Sequence, residues 1–333
     1  MRILVTGAAG FIGSNLSARL ATNGAEVLGV DCLSPYYSPE LKRQRVRNLL
    51  VPLGIKLEES NLIDFIAIHS IIQDFQPDTV IHLAAQPGVR TPIEKSDSYI
   101  QNNLVAFSNV IQSTVESGVP NFLYASSSSV YGNSGDIPYR EDNKSIEPIS
   151  IYGATKLANE LLAPTYVHGS NTNARGMRFF TVYGPWGRPD MAYFRIIDSA
   201  LHGTEFNRFG AGELKRDFTF VDDITGMIES LAQELKTRAP GYSDVVNIGG
   251  GKPHSLNDLI EVISGQIDSK ISISEFASNP LDTKFTSADV EKLLLLTGKK
   301  PEIDLEEGVR RTIEWASQKD IRDNLCIWAN STL

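Results

Sequence analysis

Residues 2–13 read RILVTGAAGFIG. The apolar run 2–6 favours a strand, and the periodicity of 15–23 favours a helix. Between them stand Gly7, Gly10 and Gly13, with Phe11 and Ile12 opening the helix. A strand, a glycine-rich turn and a helix in that order make a dinucleotide cradle. Gly7 permits the tight turn, Gly10 lets a pyrophosphate approach the backbone, and Gly13 lets the helix pack close to the strand. The helix N-terminus then offers free N–H groups and a partial positive charge to the phosphates. The spacing is G-x-x-G-x-x-G rather than G-x-G-x-x-G.

The next strand, 26–30, ends in Asp31. An acid at that point is placed to bind the adenosine ribose hydroxyls and would repel a 2′-phosphate. Cys32 and Leu33 bring no cation to replace it, so the expected cofactor is NAD rather than NADP. Residues 33–50 break the rhythm: a Pro/Tyr loop becomes a basic amphipathic helix, read as solvated, with a role near the cofactor or substrate as the lesser alternative. Strands at 55–59, 79–84, 121–125 and 175–180 then alternate with helices. Leu83, Ala84 and Ala85 lie at the carboxyl end of the fourth strand, where ligands of such sheets bind. A helix at 97–118 carries Asn103 on its inner face, either as a polar core residue or as part of the cofactor site.

The expected architecture is α/β. A doubly wound parallel Rossmann sheet over 1–181 carries a smaller C-terminal α/β substrate-binding cap over 182–333, some of whose segments can return to the main sheet. The second half reads as a loop at 183–189, a helix at 191–202, β runs at 205–209 and 215–220, a helix at 223–237 and a strand at 244–248. A helix from Ser255, a strand at 271–274 and helices at 287–296 and 305–319 follow. The tail from Arg322 is expected to be a frayed end.

The 333 residues are 41% apolar and 21% charged, the balance of an ordinary globular protein. Net charge is −9 with no basic block, which disfavours nucleic acid as a partner. No run approaches the roughly 18 consecutive apolar residues of a membrane span, and residues 2–6 form a strand rather than a secretory leader. Cys32 and Cys326 form no disulfide framework, and the five histidines have no metal-ligand spacing, so no metal is expected. A reducing cytoplasm is the expected location.

Tyr152 and Lys156, four apart on one helix, share a face. An ammonium near a phenol favours the phenolate, whose unperturbed pKa is about 10. A phenol tuned in this way can take a proton from a sugar hydroxyl. Ser126, Ser127, Ser128 and Ser129 follow the fifth strand and could hold that hydroxyl; they could equally be a polar strand end.

Residues 6–13 (TGAAGFIG), 126–132 (SSSSVYG) and 152–156 (YGATK) together resemble the extended short-chain dehydrogenase/reductase family of nucleotide-sugar enzymes. The resemblance covers essentially the whole chain. Three longer stretches look specifically like the UDP-glucuronate 4-epimerases of that family: 31–41 (DCLSPYYSPEL), 82–90 (HLAAQPGVR) and 178–192 (RFFTVYGPWGRPDMA).

The resemblance implies Tyr152 as base, Lys156 as its partner and a holder of the nicotinamide ribose, and Ser127 as the catalytic hydroxyl. It implies adenine contacts at Asn61 and Leu62, Asn61 departing from the usual Asp. Gln86, Arg90, Ser128, Thr181 and Arg188 would line the sugar site. Arg216 would bind the UDP diphosphate and Asp282 the nucleotide ribose, although residues 279–282 (NPLD) depart from the usual x-Pro-Gly-Asp. Phe206 is a candidate to stack on uracil, with core packing as its alternative.

The implied reaction inverts C4 of a UDP-sugar through a transient 4-keto intermediate. With glucuronate that intermediate is a β-keto acid prone to lose CO2, and Ser127, Ser128, Ser129 and Thr181 offer uncharged donors to hold its carboxylate. Related dehydratases and decarboxylases carry an acid where this chain has Ser129, which argues for an epimerase. A UDP-glucose or UDP-N-acetylglucosamine epimerase is the alternative, and a 4,6-dehydratase or decarboxylase a weaker one. Relatives pair through the equivalents of helices 97–118 and 150–168, so a homodimer is implied.

Overall fold

The computed structural model describes residues 1–89, 94, 96–134, 137–277, 283 and 285–330. Of the candidate site residues, Arg90 and Asp282 lie outside that set.

Strands β1 (Arg2–Thr6), β2 (Glu26–Asp31), β3 (Lys56–Glu59), β4 (Thr79–His82), β5 (Asn121–Ser127), β6 (Asn173–Phe179) and β10 (Ser243–Ile248) form one sheet. Its order is β10-β6-β5-β4-β1-β2-β3, and every pairing is parallel. Alternation along the strands feeds two cores. Ile3, Val5, Ile81 and Leu123 face a layer with Leu16, Leu20, Ile224 and Ile228. Leu4, Val80, Phe122 and Tyr124 face Ile68, Ile72, Phe107 and Val110 on the other side. A side-chain period of two on a sheet covered on both faces produces this split. The chain reverses its winding between β1 and β4, and ligands of such sheets bind at the strands' carboxyl ends there.

Past residue 181 the chain works in both halves. Strand β10 extends the main sheet beside β6, and the helix Val221–Leu235 packs on the helix Phe11–Thr22, pinned by Arg19 to Glu229 at 2.9 Å. Strands β7 (Thr181–Tyr183), β9 (Lys215–Phe220) and β11 (Pro253–Ser255) make a small mixed sheet. Strands β8 (Glu205–Phe209) and β12 (Ser272–Phe276) make a parallel pair, so the two β runs around residues 210–212 join different sheets.

Two expectations are corrected. The tail is a helix, Lys319–Ala329, whose Ile321, Leu325, Trp328 and Ala329 are buried. Spacings of i, i+4, i+7 and i+8 put these four on one stripe. Burying each large side chain is worth roughly 1.5–3 kcal/mol, enough to dock the end of a chain. The basic helix of 39–45 is not a solvated one: Lys42 and Arg45 are buried, Arg45 completely. Its charges meet oxygens inside the protein, which periodicity alone does not reveal.

Candidate active site

The glycine turn is closed by contact as much as by conformation. Gly7 sits at φ +70, and a Cβ on Gly13 would lie 2.1 Å from the Gly7 carbonyl oxygen. Any side chain at 13 would push the helix Phe11–Thr22 off the turn. Asp31 closes the other side, accepting from Ala9 N at 3.1 Å and from Leu33 N at 2.8 Å. The residues fit a dinucleotide: a cradle that a Cβ would fill, a helix N-terminus, and an acid at the end of β2. Leu83 N donates to Thr6 O at 3.1 Å and Ala84 N to the Thr6 hydroxyl at 3.3 Å, which sets the 83–85 backbone beside the turn. Asn61 accepts from Ile63 N at 3.1 Å, and Asn109 holds the Leu62 carbonyl at 3.0 Å.

Replacing Asp31 by Ser should weaken NAD binding by about 1.5–3 kcal/mol, roughly 10–100-fold, because a charged acceptor is lost. It should also narrow the preference over NADP. Titration of the cofactor-free protein with both nucleotides reads this, and an unchanged NAD affinity would remove Asp31 from the site.

Strand β5 runs further than the sequence suggests and delivers Ser127 itself. Residues 128–130 then turn as one 3-10 turn, Ser127 Oγ accepting from Ser129 N and donating to Ser129 Oγ, both at 3.1 Å. Ser126 points the other way, to Glu160 at 2.5 Å, and is not part of the pocket. The helix Ile151–Val167 starts on a Ser150 cap, whose Oγ accepts from Gly153 N at 3.1 Å. A Cβ on Gly153 would lie 2.5 Å from Ser129 O. This glycine therefore lets the helix start press onto the serine turn, and the Ser127 hydroxyl is among the groups that lower the Tyr152 pKa. Gly153 was given no role of its own from sequence.

Lys156 is buried on the same helical face, its Nζ 5.8 Å from the Tyr152 ring centre and 2.9 Å from Ala125 O. The electrostatics differ from the expectation of a phenol lowered by its lysine. Burial pushes the Tyr152 pKa up, and the charge pulling it back is Arg188, helped by the Ser127 hydrogen bond. Burial also lowers Lys156 to about 7. Arg188 is itself clamped by Asp190, Nε to Oδ1 at 3.0 Å and Nη2 to Oδ2. Tyr36, Arg188 and Asp190 form one electrostatic cluster with Tyr152, and burial beside Asp190 pushes the Tyr36 phenol up to about 12. Tyr99 stands edge-on to Tyr152, ring centres 6.4 Å apart, and donates to Gly88 O at 2.6 Å. Tyr36, Tyr99 and Asp190 were given no role from sequence, although the stretches 31–41 and 178–192 contain Tyr36 and Asp190.

Lys156 predicts a pH dependence. Its folded pKa of about 7 lies below the unfolded 10.5, so the unfolded chain binds more protons between those values. The stability of the cofactor-free protein should therefore gain from rising pH in that window, by up to about 1.4 kcal/mol per pH unit. Urea unfolding from pH 7 to 9 should show a climb in wild type that Lys156→Met lacks; parallel curves would refute the assignment.

The remaining candidates separate. Asn103 Oδ1 accepts from Gln86 N at 2.7 Å, while its Nδ2 donates to Gln86 O and Thr155 Oγ1, both at 3.1 Å. It ties the 86 loop to the helix Ile151–Val167, with its donors used inside the protein. Thr181 opposite Phe218, and Arg216 opposite His254, lie on the small mixed sheet. Phe206 is 5% exposed within the C-terminal apolar cluster with Ile263 and Ile271, which favours its packing alternative. Among the described residues no group of His, Cys, Asp and Glu is arranged to hold a metal. No helix of the described residues is long and apolar enough to cross a membrane.

The profile of the NAD dependent epimerase/dehydratase family matches residues 3–249. A UDP-glucuronate 4-epimerase of Thermodesulfobacterium geofontis is 38% identical over 317 residues, covering 95% of this chain and 96% of that one. UDP-glucuronate 4-epimerase 4 of Arabidopsis thaliana is 38% identical over 327 residues, covering 94% of this chain and 74% of its own length. The crystal structure of UDP-glucuronic acid 4-epimerase from Bacillus cereus, in complex with UDP-glucuronic acid and NAD, superposes with a TM-score of 0.85. It is 32% identical and covers 95% of this chain and 98% of that one.

Proposed function

This chain belongs to the NAD dependent epimerase/dehydratase family, and from that premise we propose that it interconverts UDP-glucuronate and UDP-galacturonate by inverting C4. NAD-dependent 4-epimerisation of a UDP-sugar is the reaction; glucuronate is the substrate we assign. The observation that carries the assignment is the serine turn. Ser127, whose hydroxyl helps lower the Tyr152 pKa, is bonded to the residue two further on, Ser129, an uncharged hydroxyl.

In this reading Tyr152 takes the proton of the C4 hydroxyl, which Ser127 orients. NAD, when bound, would supply reversible hydride transfer at C4, so the reaction would carry no net oxidation. Lys156 would leave its Ala125 contact to hold the nicotinamide ribose. Gly7, Gly10, Gly13, Asp31 and the 83–85 backbone would hold the remainder of the cofactor. Ser128, Ser129 and Thr181 would fix the sugar carboxylate so that its C–C bond stays out of line with the 4-keto π system, which suppresses loss of CO2. Arg188 would set the charge at the pocket, and Arg216 on β9 would take the diphosphate. Ser129 cannot act as an acid or base at C5 near neutral pH, which separates this site from that of a lyase.

We divide the chain into an NAD-binding unit, 1–181, and a mainly UDP-sugar-binding unit, 182–333, and place it in the cytoplasm as a homodimer. The helices at 96–116 and Ile151–Val167 would form the pair, where Ile100 and Leu161 are 41% and 67% exposed.

Incubating the purified protein with UDP-glucuronate, UDP-glucose and UDP-N-acetylglucosamine, with products followed by NMR, tests the reading. UDP-galacturonate without CO2 or UDP-pentose is the expected result. Product from UDP-glucose alone would overturn the substrate and leave the chemistry.

A further inference from the structure

Arg45 comes from the insertion at 33–50, which the mechanism above does not use. Its side chain is 0% exposed. The guanidinium donates from Nε to Trp186 O at 2.8 Å and from Nη2 to Gly187 O at 2.8 Å. Its Nη1 reaches Ala9 O at 3.1 Å and the Tyr37 hydroxyl at 2.6 Å. No carboxylate among the described residues pairs with it, so its charge is met by carbonyl and hydroxyl oxygens.

These partners come from two separate segments of the candidate site. Ala9 is the middle of the glycine turn, and its N–H is the one Asp31 holds. With Arg45 on the carbonyl, the residue is clamped from both sides. Trp186 and Gly187 directly precede Arg188. Trp186 sits at φ +62, a left-handed conformation that side chains other than glycine's rarely adopt. Such strain persists only when the surroundings over-determine it. Here the Arg45 hydrogen bond fixes the carbonyl, and the indole packs on Trp315, ring centres 5.3 Å apart. A planar fork suits four acceptors spread in this way, whereas an ammonium offers three donors from one point.

We propose that Arg45 is a positioning residue that couples the two halves of the site, fixing the cofactor turn through Ala9 and the placement of Arg188 through Trp186 and Gly187. The part concerning Arg188 rests on the proposed function; the part concerning the turn needs only the cofactor. A residue that merely stabilised the fold would lower stability yet leave the folded fraction with ordinary affinities and independent of Arg188.

The test combines Arg45→Met and Arg45→Lys with Arg188→Met. NAD and UDP-glucuronate affinities are measured by calorimetry on folded protein, with KM and kcat alongside. Arg45→Met should weaken both ligands on the order of tenfold, and Arg45→Lys, which keeps the charge and guards against a misfolded Met variant, should recover only part. In the Arg188→Met background, Arg45→Met should weaken NAD as before but cost little more for UDP-glucuronate. Additive losses for UDP-glucuronate, or a folded Arg45→Lys with wild-type affinity for both ligands, would overturn the proposal. Wild-type protein that ignores UDP-glucuronate while Arg45→Lys still weakens NAD would sink the substrate assignment and uphold the coupling at the turn.

Discussion

Tyr152→Phe is expected to leave a folded protein that keeps its NAD and to lower turnover by roughly 10²–10⁴-fold. The substitution removes one oxygen and little volume. Ser127 keeps its hydrogen bonds to Ser129, Lys156 keeps Ala125 O, and the glycine turn is untouched. On the proposed mechanism the proton of the C4 hydroxyl would then have no acceptor of suitable reach. Because burial raises the phenol's pKa in the unliganded site, kcat/KM should rise with pH above neutrality in wild type. Arg188 is the charge that lowers that pKa, so Arg188→Met should move the rise to higher pH. Steady-state rates across pH, with bound NAD quantified from the denatured protein, read both effects. Wild-type turnover by Tyr152→Phe would remove the assigned base.

The second large effect is on stability. Arg178→Met should destabilise the protein by about 3–5 kcal/mol, because it leaves an uncompensated buried charge. Glu160 and Arg178 are 5% and 3% exposed and pair at 2.7 Å. Around them the Ser126 hydroxyl donates to Glu160, Arg178 Nη1 donates to the Tyr131 hydroxyl at 2.8 Å, and Tyr131 donates to Asn247 Oδ1 at 2.7 Å. This chain of bonds ties the end of β5, the catalytic helix, β6 and β10 together directly behind the Ser127–Tyr152 pair. Turnover per folded molecule should fall as well, since Ser126 adjoins Ser127. Adding Glu160→Gln to Arg178→Met should recover part of the lost stability, because the pair is removed together. Urea unfolding of the single and double variants checks this; strictly additive losses would show that the two side chains do not act as a unit.

The local signals were strong wherever a residue's role follows from its immediate neighbours. Gly7, Gly10, Gly13 and Asp31 could be read because a turn, a helix start and a strand end lie consecutively in the chain. Tyr152 and Lys156 could be read because helical geometry alone puts them on one face. Misreadings arose where a distant segment sets the environment. The charge that Lys156 was expected to exert on Tyr152 comes from Arg188, 36 residues from that phenol in sequence numbering. Arg45 looked solvated because Ala9, Trp186 and Gly187, three of its four partners, lie outside the insertion, and Lys42 because its partner Ser34 lies in the preceding loop and not on its own helix. The tail at Lys319–Ala329 had a legible apolar stripe, but the surface that buries it belongs to the C-terminal cluster.

Sequence alone determined the alternating strands and helices, the glycine turn with an acid at the end of the next strand, and the phenol and ammonium on one helical face, since these depend on backbone periodicity and spacings of a few residues. Tertiary structure alone decided that β10 completes the main sheet, that Gly153 presses the catalytic helix onto the serine turn, and that Arg45 joins the cofactor turn to the loop before Arg188. Burial, electrostatic fields and close approach are properties of which surfaces meet, and residues far apart in the chain carry no local mark of that meeting.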